Sequence, residues 1–426
     1  MAGMSRRAFM KTGAVAATAT LAAQRASGAN ERIRVAAIGG RNRGHQVATE
    51  MARNRNFEIA SVCDCDTRMA KQAVAEILNG SNQEERPKLE QDFRRVLEDK
   101  DIDAVIIAAP DHWHAHMQHL ALDAGKHVYV EKPASFNIAE SVAMTEKAKA
   151  HPELTVMVGT QQRSGRHFKD AKDFIAEGHL GTIGFCRAWI TQNRPVLPIV
   201  PDTEPPDTLD YEMWVGPAPY QPYNEYGCHY WWHFQKEYGT GEMGNWGAHW
   251  IDIARWYLGL DLPAAVSGQG HKIVQDAKET PDTQTVIYEF PELTLLWEQR
   301  IWTERRLNKE SSGVEFCGDK GALMITRGWW AFYPHDEKPQ RHDGTPLMGP
   351  HVHNFAEVIQ GRAKCNATME EGAKTATMCH LGNLVARLNR RLEFDAATHT
   401  FPKDPEANTL RGREYRAPWS EMVTFG

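Results

Sequence analysis

Short apolar runs alternate with longer stretches of helical periodicity in the first third of the chain. Runs at 33–38, 57–63 and 103–110 are rich in valine, isoleucine and alanine, and they stop at glycine, aspartate or proline. A last run of this kind lies at 154–159. Because β-branched residues suit strands and buried parallel strands are apolar on both faces, this alternation predicts a parallel sheet wound with helices.

The segment 126–133 combines one such strand with a pair of charges. Its apolar run 128–130 ends before Pro133, because proline has no N–H to donate to a sheet. Glu131 and Lys132 are therefore expected at the carboxyl end of a parallel strand, where open α/β sheets bind ligands. Taken alone, the segment fits a solvated pair of charges at a strand end equally well.

The pattern changes after residue 160, where strand-like runs follow one another. Strands are expected at about 183–192, 264–274, 283–291, 293–302, 312–317 and 321–326. A hairpin turn at 318–321 joins the last two and indicates antiparallel pairing. The proline- and tyrosine-rich residues 194–226 predict a long loop over the site or at a subunit contact. After helices near 352–360 and 369–391, the tail from residue 392 is expected to wrap the surface.

Together these patterns predict an α/β protein of two domains. Residues 30–160 form an N-terminal Rossmann dinucleotide-binding domain. Residues 161–426 form a C-terminal α+β domain for substrate binding and dimerisation, with a large, mostly antiparallel open sheet, one face of which is solvated or used for dimerisation. The chain is long enough for both domains to bury a core of their own.

The first 29 residues are expected to be an export signal. Arg6 and Arg7 stand before a short, weakly apolar, alanine-rich run, which is typical of a twin-arginine (Tat) signal peptide. We therefore expect recognition by the Tat machinery and a periplasmic or other extracytoplasmic location. Because that route carries folded proteins, we also expect the cofactor to be held through turnover.

Composition restricts the partners. The 426 residues are 42% hydrophobic and 24% charged, with a net charge of −6, so no basic surface indicates nucleic acid. The alanine-rich run is too short and weakly apolar to span a membrane well. The seven cysteines have no zinc-binding spacing, so we expect free thiols and no metal.

A glycine-containing turn joins the first strand to the first helix. Residues 39–44 read Gly-Gly-Arg-Asn-Arg-Gly, close to the G-x-G-x-x-G pattern in which backbone approaches a pyrophosphate at a helix N-terminus. Gly39 and Gly44 fit the first and third positions. Arg41 takes the middle position, unless Gly40 serves in a shifted register.

Asp64 ends the second strand, where a carboxylate binds the adenosine ribose of a dinucleotide. It repels a 2′-phosphate and therefore favours NAD over NADP. Three arginines that lie near it in the predicted fold would weaken that preference: Arg41, Arg43 and Arg68.

Three alternating histidines follow Pro110. His112, His114 and His116 would share one face of a strand, but here they open a helix, which spreads them around its axis. A metal site is therefore disfavoured, and contact with the nicotinamide side of a dinucleotide is expected. Gln161 follows the last strand into the same crevice.

In this order the motifs resemble those of the Gfo/Idh/MocA (glucose–fructose oxidoreductase / inositol dehydrogenase) superfamily. The matching segments are 39–44, Asp64, 109–114, 131–133, 159–163 and 244–252. The resemblance covers most of the chain after the export signal. It implies a Rossmann domain followed by an α/β domain with an open sheet, a catalytic lysine at Lys132, a cis peptide bond before Pro133, and a homo-oligomer.

A helix expected at about 243–258 carries a second group of polar residues. Asn245 and His249 are four residues apart, and His249 and Asp252 are three apart, so an amide or a carboxylate can orient the imidazole. In the family the first of these positions is an acid of a proton relay. Asn245 can donate and accept hydrogen bonds but cannot take up a proton, so this chain departs from simple inositol-type dehydrogenation.

The expected chemistry is hydride exchange between NAD(H) and a hydroxyl-bearing carbon of a sugar, sugar derivative or cyclitol, with Lys132, His249 and Asn245 as catalytic residues. The dinucleotide is expected to contact Gly39, Gly40, Arg41, Asn42, Arg43, Gly44, Asp64, Pro110, His112, His114, Glu131, Lys132 and Gln161. The substrate is expected to contact Arg163, Tyr230, His233 and Asp252, and Glu242 is a weaker candidate.

Two other functions stay open. A retained NAD could serve redox-neutral glycoside cleavage or elimination, which Tat export and the amide of Asn245 favour. The chain could also be a non-catalytic sugar-binding protein on a Rossmann scaffold, against which the presence of Lys132 and His249 argues.

Overall fold

The computed structural model describes residues 32–425, so the predicted Tat signal lies outside the described residues. Six strands form the first sheet: β1 (Ile33–Ile38), β2 (Phe57–Cys63), β3 (Lys88–Glu90), β4 (Ala104–Ile107), β5 (His127–Val130) and β6 (Val156–Val158). Their order is β3-β2-β1-β4-β5-β6, and every neighbouring pair is parallel. The predicted Rossmann sheet is confirmed, with its strand order reversing between β1 and β4.

Helices cover both faces of this sheet. They are α1 (Arg43–Arg53), α2 (Thr67–Gly80), α3 (Phe93–Glu98), α4 (His114–Asp123) and α5 (Ile138–Ala150), with a 3₁₀ turn at Asp111–Trp113 before α4. The side chains of Asp66, Asp92 and Asn137 cap α2, α3 and α5 by accepting from backbone N–H groups. By contrast, α1 has no side-chain cap and no acidic residue in its first turn.

The second sheet has nine strands and is mostly antiparallel, as predicted. They are β7 (Ile183–Thr191), β8 (Ala265–His271), β9 (Thr283–Phe290), β10 (Leu293–Arg300), β11 (Ser312–Gly318), β12 (Gly321–Ile325), β13 (Trp329–Pro334), β14 (Gln340–Asp343) and β15 (Leu392–Glu393). The order is β14-β13-β12-β11-β7-β10-β9-β8-β15, and only β7 and β10 pair in parallel. The predicted hairpin is present, with Gly318 opposite Gly321. Strand β13 and the edge strands β14 and β15 were not predicted.

Helices cover one face of this second sheet. The helices after residue 160 are α6 (Arg166–Ala176), α7 (Tyr211–Val215), α8 (Ala248–Leu258), α9 (Met348–Ile359), α10 (Met369–Leu388), α11 (Pro405–Thr409) and α12 (Trp419–Met422). Of these, α6, α8 and α10 share a core with the second sheet, whereas α9 and α12 pack in the cores of the first. Trp250 on α8 packs with Tyr288 and Trp297 of the sheet in one core, and all three are fully buried. The helix expected from 243 is interrupted, because Met243–Gly247 is a π-helix that joins directly to α8. A 3₁₀ turn at Gln161–Ser164 follows β6, and another at Trp231–Phe234 precedes the π-helix.

The C-terminal tail returns to the first sheet rather than only wrapping the surface. Trp419 is buried against Phe93 and Trp113, with its ring centroid 4.7 Å from that of Trp113. Phe425 packs edge-on against His116 at 4.8 Å. The tail therefore fills part of the Rossmann core.

Four further features bear on the sequence-based expectations. The Lys132–Pro133 peptide bond is cis, as the family resemblance implied. All seven cysteines are free thiols. Between residues 32 and 425, no helix is both long and apolar enough to cross a bilayer, and His, Cys, Asp and Glu side chains form no group of three that could hold a metal ion.

Candidate active site

A cavity of about 500 Å³ lies between the carboxyl edge of the parallel sheet and the segment that carries the π-helix. Fourteen of the predicted site residues line it: Gly39, Arg41, Asn42, Arg43, Asp64, Pro110, His114, Glu131, Lys132, Gln161, Tyr230, His233, Asn245 and His249. The fold thus brings residues that are up to 210 positions apart (249 − 39) to one surface.

The turn between β1 and α1 is built for close backbone approach. Gly39 has φ +91°, and a Cβ there would lie 2.6 Å from the Ala108 carbonyl oxygen. A Cβ on Gly44 would lie 1.7 Å from the Gly39 oxygen, so only glycine fits. The Gly44 N–H donates to the Arg41 carbonyl at 3.0 Å, but no side chain caps the start of α1, so its positive dipole end can face an anion.

The Asp64 carboxylate binds the backbone of this turn. Its Oδ2 accepts from the Gly40 N–H at 2.7 Å and its Oδ1 from the Asp66 N–H at 2.9 Å. Burial raises the pKa of Asp64 to about 6, although these backbone donors oppose the rise. Two of the arginines expected to weaken its preference point elsewhere: Arg43 pairs with Glu131 and Arg68 with Asp66.

Glu131 and Arg43 form an ion pair at the back of the cavity, with Nε to Oε1 at 2.7 Å. Burial by itself raises the pKa of Glu131, but Arg43 and Lys132 outweigh it and hold that pKa below its usual range. Gly159 leaves the space for this carboxylate, since a Cβ there would lie 2.6 Å from Oε1.

Lys132 reaches across the cavity to the second half of the chain. Its Nζ donates to the backbone oxygen and to the side-chain Oδ1 of Asn245, both at 3.0 Å. Burial lowers the pKa of Lys132 below the usual range of a lysine. Glu131 and Asp111 oppose this shift, whereas Arg43 and Arg327 add to it.

A hydrogen-bonded chain extends from Lys132 through Asn245. The Asn245 amide donates to Glu242 Oε2 at 3.0 Å, and Glu242 Oε1 accepts from Arg194 Nε at 2.6 Å. Arg194 also donates to the Tyr230 hydroxyl at 3.2 Å. Since both ends of the Asn245 amide are bonded, its oxygen is held toward Lys132. The family relay has its acid at the position of Asn245, whereas here the nearby carboxylate is that of Glu242, three residues earlier.

Comparison with known proteins agrees with this arrangement. Residues 33–160 match a domain described as "Oxidoreductase family, NAD-binding Rossmann fold", and residues 189–421 match "Oxidoreductase family, C-terminal alpha/beta domain". The chain belongs to the Gfo/Idh/MocA oxidoreductase family. The resemblance drawn from the motifs is therefore confirmed.

Relatives within the family include proteins of different named activities. Levoglucosan dehydrogenase of Pseudarthrobacter phenanthrenivorans is 31% identical over 169 residues, which cover 39% of this chain and 36% of the relative. Glycosyl hydrolase family 109 protein 1 of Shewanella sp. (strain MR-4) is 27% identical over 159 residues, which cover 36% of this chain and 34% of the relative. The matches thus span about a third of these relatives. An oxidoreductase domain protein of Kribbella flavida has the same fold, with a TM-score of 0.67 at 20% identity over 85% of this chain and 99% of that one.

The residues present fit the dinucleotide that this family's Rossmann domain binds. Gly39 and Gly44 leave room for a pyrophosphate over the start of α1, and Asp64 lies where the ribose would bind. The Oε1 atom of Gln161, which lines the cavity, is buried without a hydrogen-bond partner within residues 32–425. Such an atom is a ready contact for a bound group.

His249 faces the same cavity from the first turn of α8. Its Nδ1 is buried and has no hydrogen-bond partner among the described residues. Burial, followed by the charges of Arg327, Lys132 and Arg43, lowers the pKa of His249 well below the usual range of a histidine. We therefore treat His249 as a neutral imidazole at physiological pH.

Asp111 is a member of the site that the sequence did not single out. It is buried beside the cavity and accepts from the Thr240 hydroxyl at 2.6 Å and the Thr240 N–H at 3.2 Å. Burial raises its pKa to about 7, although Thr240 and Lys132 oppose the rise. Its charge therefore changes near neutral pH, and with it the field at Lys132.

The predicted dinucleotide contact at His112 is not supported. His112 is fully buried outside the cavity wall, and its ring nitrogens lie 3.1 Å and 3.3 Å from the carbonyl oxygens of Trp214 and Tyr238. His114 does line the cavity, between the carbonyl oxygens of Pro133 and Ala109. The 3₁₀ turn before α4 explains the difference, because it turns the first histidine inward.

Arg163 and Asp252, which were predicted to contact the substrate, do not line the cavity. Arg163 Nε and Nη2 each donate to Asp252 at 2.8 Å, and both side chains are almost wholly buried (4% and 1% exposed). Thr375 donates to the same carboxylate at 2.9 Å. Asp252 thus holds Arg163 rather than His249, and this ion pair ties the end of the first sheet to α8 and α10.

Gly40 and Gly44 lie in the turn but not on the cavity wall, so their part is to shape the backbone. Tyr230 and His233 do line the wall, and Trp232 stacks on His233 with ring centroids 3.7 Å apart. Tyr230 and His233 therefore stay predicted substrate contacts, and their aromatic rings could lie against a sugar ring.

Sequence reasoning missed several residues on the second wall. Arg327, Trp246, Gln192 and Arg194 line the cavity. Glu242, which the sequence offered only as a weaker substrate candidate, stands directly behind it. Its spacing of three residues from Asn245 was a usable signal for a helix that begins before residue 243, because residues three apart on a helix meet. Arg327 lies on a hairpin turn, for which the local pattern carries no signal.

Proposed function

We propose that this chain is an NAD-dependent dehydrogenase that oxidises a hydroxyl-bearing carbon of a sugar, sugar derivative or cyclitol. The observation that carries the proposal is the position of Lys132 Nζ, which Asn245 holds in the same cavity as the glycine turn. Burial also lowers the pKa of Lys132, which favours its action as a base. An oxidation of this kind needs a base for the hydroxyl proton beside the hydride acceptor. The name of the relative levoglucosan dehydrogenase supports the substrate class.

The chain's own residues divide the work as follows. Neutral Lys132 accepts the proton of the substrate hydroxyl at Nζ, and Asn245 Oδ1 orients that nitrogen. His249, held neutral, shares this proton from the opposite wall. Tyr230 and the stacked His233 support the face of the sugar ring. A nicotinamide dinucleotide bound on the glycine turn would supply the hydride acceptor.

We infer a preference for NAD over NADP. Asp64 keeps its carboxylate at the end of β2, and neither Arg43 nor Arg68 is free to bind a 2′-phosphate. Arg41 remains exposed on the turn. Titration of the protein with both dinucleotides tests this inference, and equal or tighter binding of NADP would count against it.

One observation favours a second candidate, redox-neutral glycoside cleavage with a retained NAD. A relative of similar coverage is named a family 109 glycosyl hydrolase, and Asn245 replaces the acid of the family relay. In this alternative NAD would accept a hydride from a sugar carbon, a base would remove the proton next to the new ketone, and the aglycone would leave. Water would then add to the resulting double bond, and the hydride would return to the ketone carbon. Turnover then accumulates no NADH.

A panel of sugars and cyclitols, assayed in parallel for NADH formation and for released aglycone, separates the two candidates. Net NADH at each turnover supports the dehydrogenase, whereas aglycone release at constant NADH supports the cleavage reaction. Lys132→Met should abolish either activity, and the exposed Lys169→Met serves as a matched control. An unchanged rate in Lys132→Met would remove the base from the mechanism.

We also propose that the protein is exported by the Tat pathway to the periplasm or another extracytoplasmic space, with the dinucleotide retained. The support is the twin-arginine run at Arg6 and Arg7. Replacement of both by lysine should leave the protein in the cytoplasmic fraction. Equal export of that variant would count against the proposal.

We further propose a homo-oligomer. The face of the nine-stranded sheet opposite α8 and α10 carries the partly exposed apolar side chains Ile287 and Tyr333. Light scattering on the wild type and on Ile287→Asp measures the oligomeric state directly. A monomeric wild type would contradict the proposal.

A further inference from the structure

Arg327 is a cavity cation without a counter-ion. It lies on the turn between β12 and β13, and it lines the wall that also carries Asn245 and His249. Its guanidinium carbon is 4.7 Å from the centre of the Trp246 ring. Across residues 32–425 its side chain makes no ion pair and donates no hydrogen bond, and its Nε is buried without a partner.

The other cations near the reacting centre are already engaged. Arg43 is paired with Glu131 at 2.7 Å, Arg194 with Glu242 at 2.6 Å, and Lys132 donates twice to Asn245. Arg41 lies apart from them, exposed on the glycine turn beside Asp64. Arg327 is therefore the guanidinium that remains available on the substrate side of the cavity.

An unpaired charge in this position is costly. The Arg327 side chain is partly buried. Burial and the nearby charge of Arg43 lower its pKa to about 10, although the charge of Glu131 opposes this shift. The charge of Arg327 is in turn the largest one acting on His249. A charged group removed from water without a counter-ion destabilises the fold unless a ligand pairs with it. The planar guanidinium matches a carboxylate or a phosphate in a two-point contact.

We propose that the cavity takes a sugar acid, whose carboxylate is bound by Arg327 while Lys132 acts on a ring hydroxyl. This inference rests on the proposed function and names its substrate class. A monoanion fits better than a sugar phosphate, because one guanidinium is free and the neighbouring cations are already paired. The aromatic patch around His233 stays available for the ring itself.

Binding is the sharpest test, because it does not depend on turnover. Matched pairs of a neutral sugar and its uronic acid, together with the sugar phosphate, are titrated calorimetrically into the full chain saturated with NADH. The wild type should prefer the acid. Arg327→Gln should weaken binding of the acid by about 10- to 100-fold, the range expected for a charge-assisted contact, and should leave the neutral sugar nearly unchanged.

Two further variants make the result specific. Arg327→Lys keeps the charge but loses the two-point geometry, so the acid should bind with intermediate affinity. Arg341→Gln is the matched control, since Arg341 also lies over a tryptophan, Trp329, at 4.4 Å, but outside the cavity. It should behave as the wild type. If Arg327→Gln does not fold, the wild-type preference and Arg327→Lys carry the test.

The outcomes separate this inference from the proposed function. Equal binding of acid and neutral sugar, or preference for the phosphate, overturns the assignment of a sugar acid. A loss of NADH affinity in Arg327→Gln overturns it as well, because the arginine then serves the dinucleotide. Acid binding that depends on Arg327 without any hydride transfer supports the anion site and removes the dehydrogenase. Oxidation of neutral sugars alone supports the dehydrogenase and removes the anion site.

Discussion

The ion pair of Arg163 and Asp252 offers a test of how far the site extends. Two charged side chains close to the cavity invite a substrate-binding role, but their contacts are internal: Arg163 donates twice to Asp252 at 2.8 Å and once to Glu371 at 3.1 Å. We therefore expect Asp252→Asn to act on stability and not on substrate affinity. In the variant, amide hydrogens face the guanidinium, and half of the two-point contact is lost.

The structure sets the size of the effect. Both side chains are at most 4% exposed, and breaking a buried pair by changing one partner costs about 3–5 kcal/mol. With about 2–4 °C per kcal/mol for a domain of this size, the melting temperature should fall by about 6–20 °C. The control is Lys374, which is 27% exposed and pairs with Asp261 and Glu370, both at 3.2 Å. Because these carboxylates are exposed, Lys374→Met should cost less than about 1 kcal/mol.

The assay combines thermal unfolding with calorimetric titration of the substrate. A double variant, Arg163→Met with Asp252→Leu, removes both charges and should recover much of the stability, because no buried charge is then left unpaired. A variant Asp252→Asn with an unchanged melting temperature and a weakened substrate affinity would refute the structural role and restore the original prediction.

Three further predictions concern the cavity itself. Gly44→Ala should abolish dinucleotide binding, measured by titration, because a Cβ there meets the Gly39 oxygen at 1.7 Å; retained binding would mean that the turn can open. Asp111→Asn should move the alkaline rise of kcat/KM to lower pH, since a neighbouring carboxylate that raises the pKa of Lys132 is removed; an upward shift would contradict the assignment of Lys132. Asn245→Asp should move the same rise upward by about one to three pH units, because a carboxylate then contacts the lysine nitrogen; a downward shift would contradict it.

The parts of this molecule that follow from local pattern were predictable. β5 ends at Val130 as the following proline dictates, and Glu131 and Lys132 stand at the sheet edge, since parallel strands place their carboxyl ends together. The glycine turn was also predictable, because the close approach of the backbone allows only glycine at position 44.

What the sequence did not determine depends on contacts between distant segments. Asp252 stands three residues after His249, but its carboxylate binds Arg163 instead. No local sequence rule specifies that pairing, because the two residues are far apart in the chain. The π-helix before α8 changes the spacing on which helical arguments rest. Arg327 enters the cavity only because the β12–β13 hairpin lies beside Trp246.

The central claim is that this cavity transfers a hydride from a sugar carbon while Lys132 takes the hydroxyl proton. The most direct measurement incubates the protein with NAD and a panel of carbon-deuterated sugars, sugar acids and cyclitols, then denatures it and analyses the nicotinamide by mass spectrometry. Net turnover leaves the deuterium on the reduced cofactor, whereas redox-neutral turnover returns it to the sugar carbon. The sample is therefore denatured within a single turnover, so that deuterium on a retained nicotinamide is captured before it returns. The account predicts deuterium on the nicotinamide with the wild type and none with Lys132→Met. Absence of deuterium with every substrate, or equal transfer in the two proteins, would contradict it.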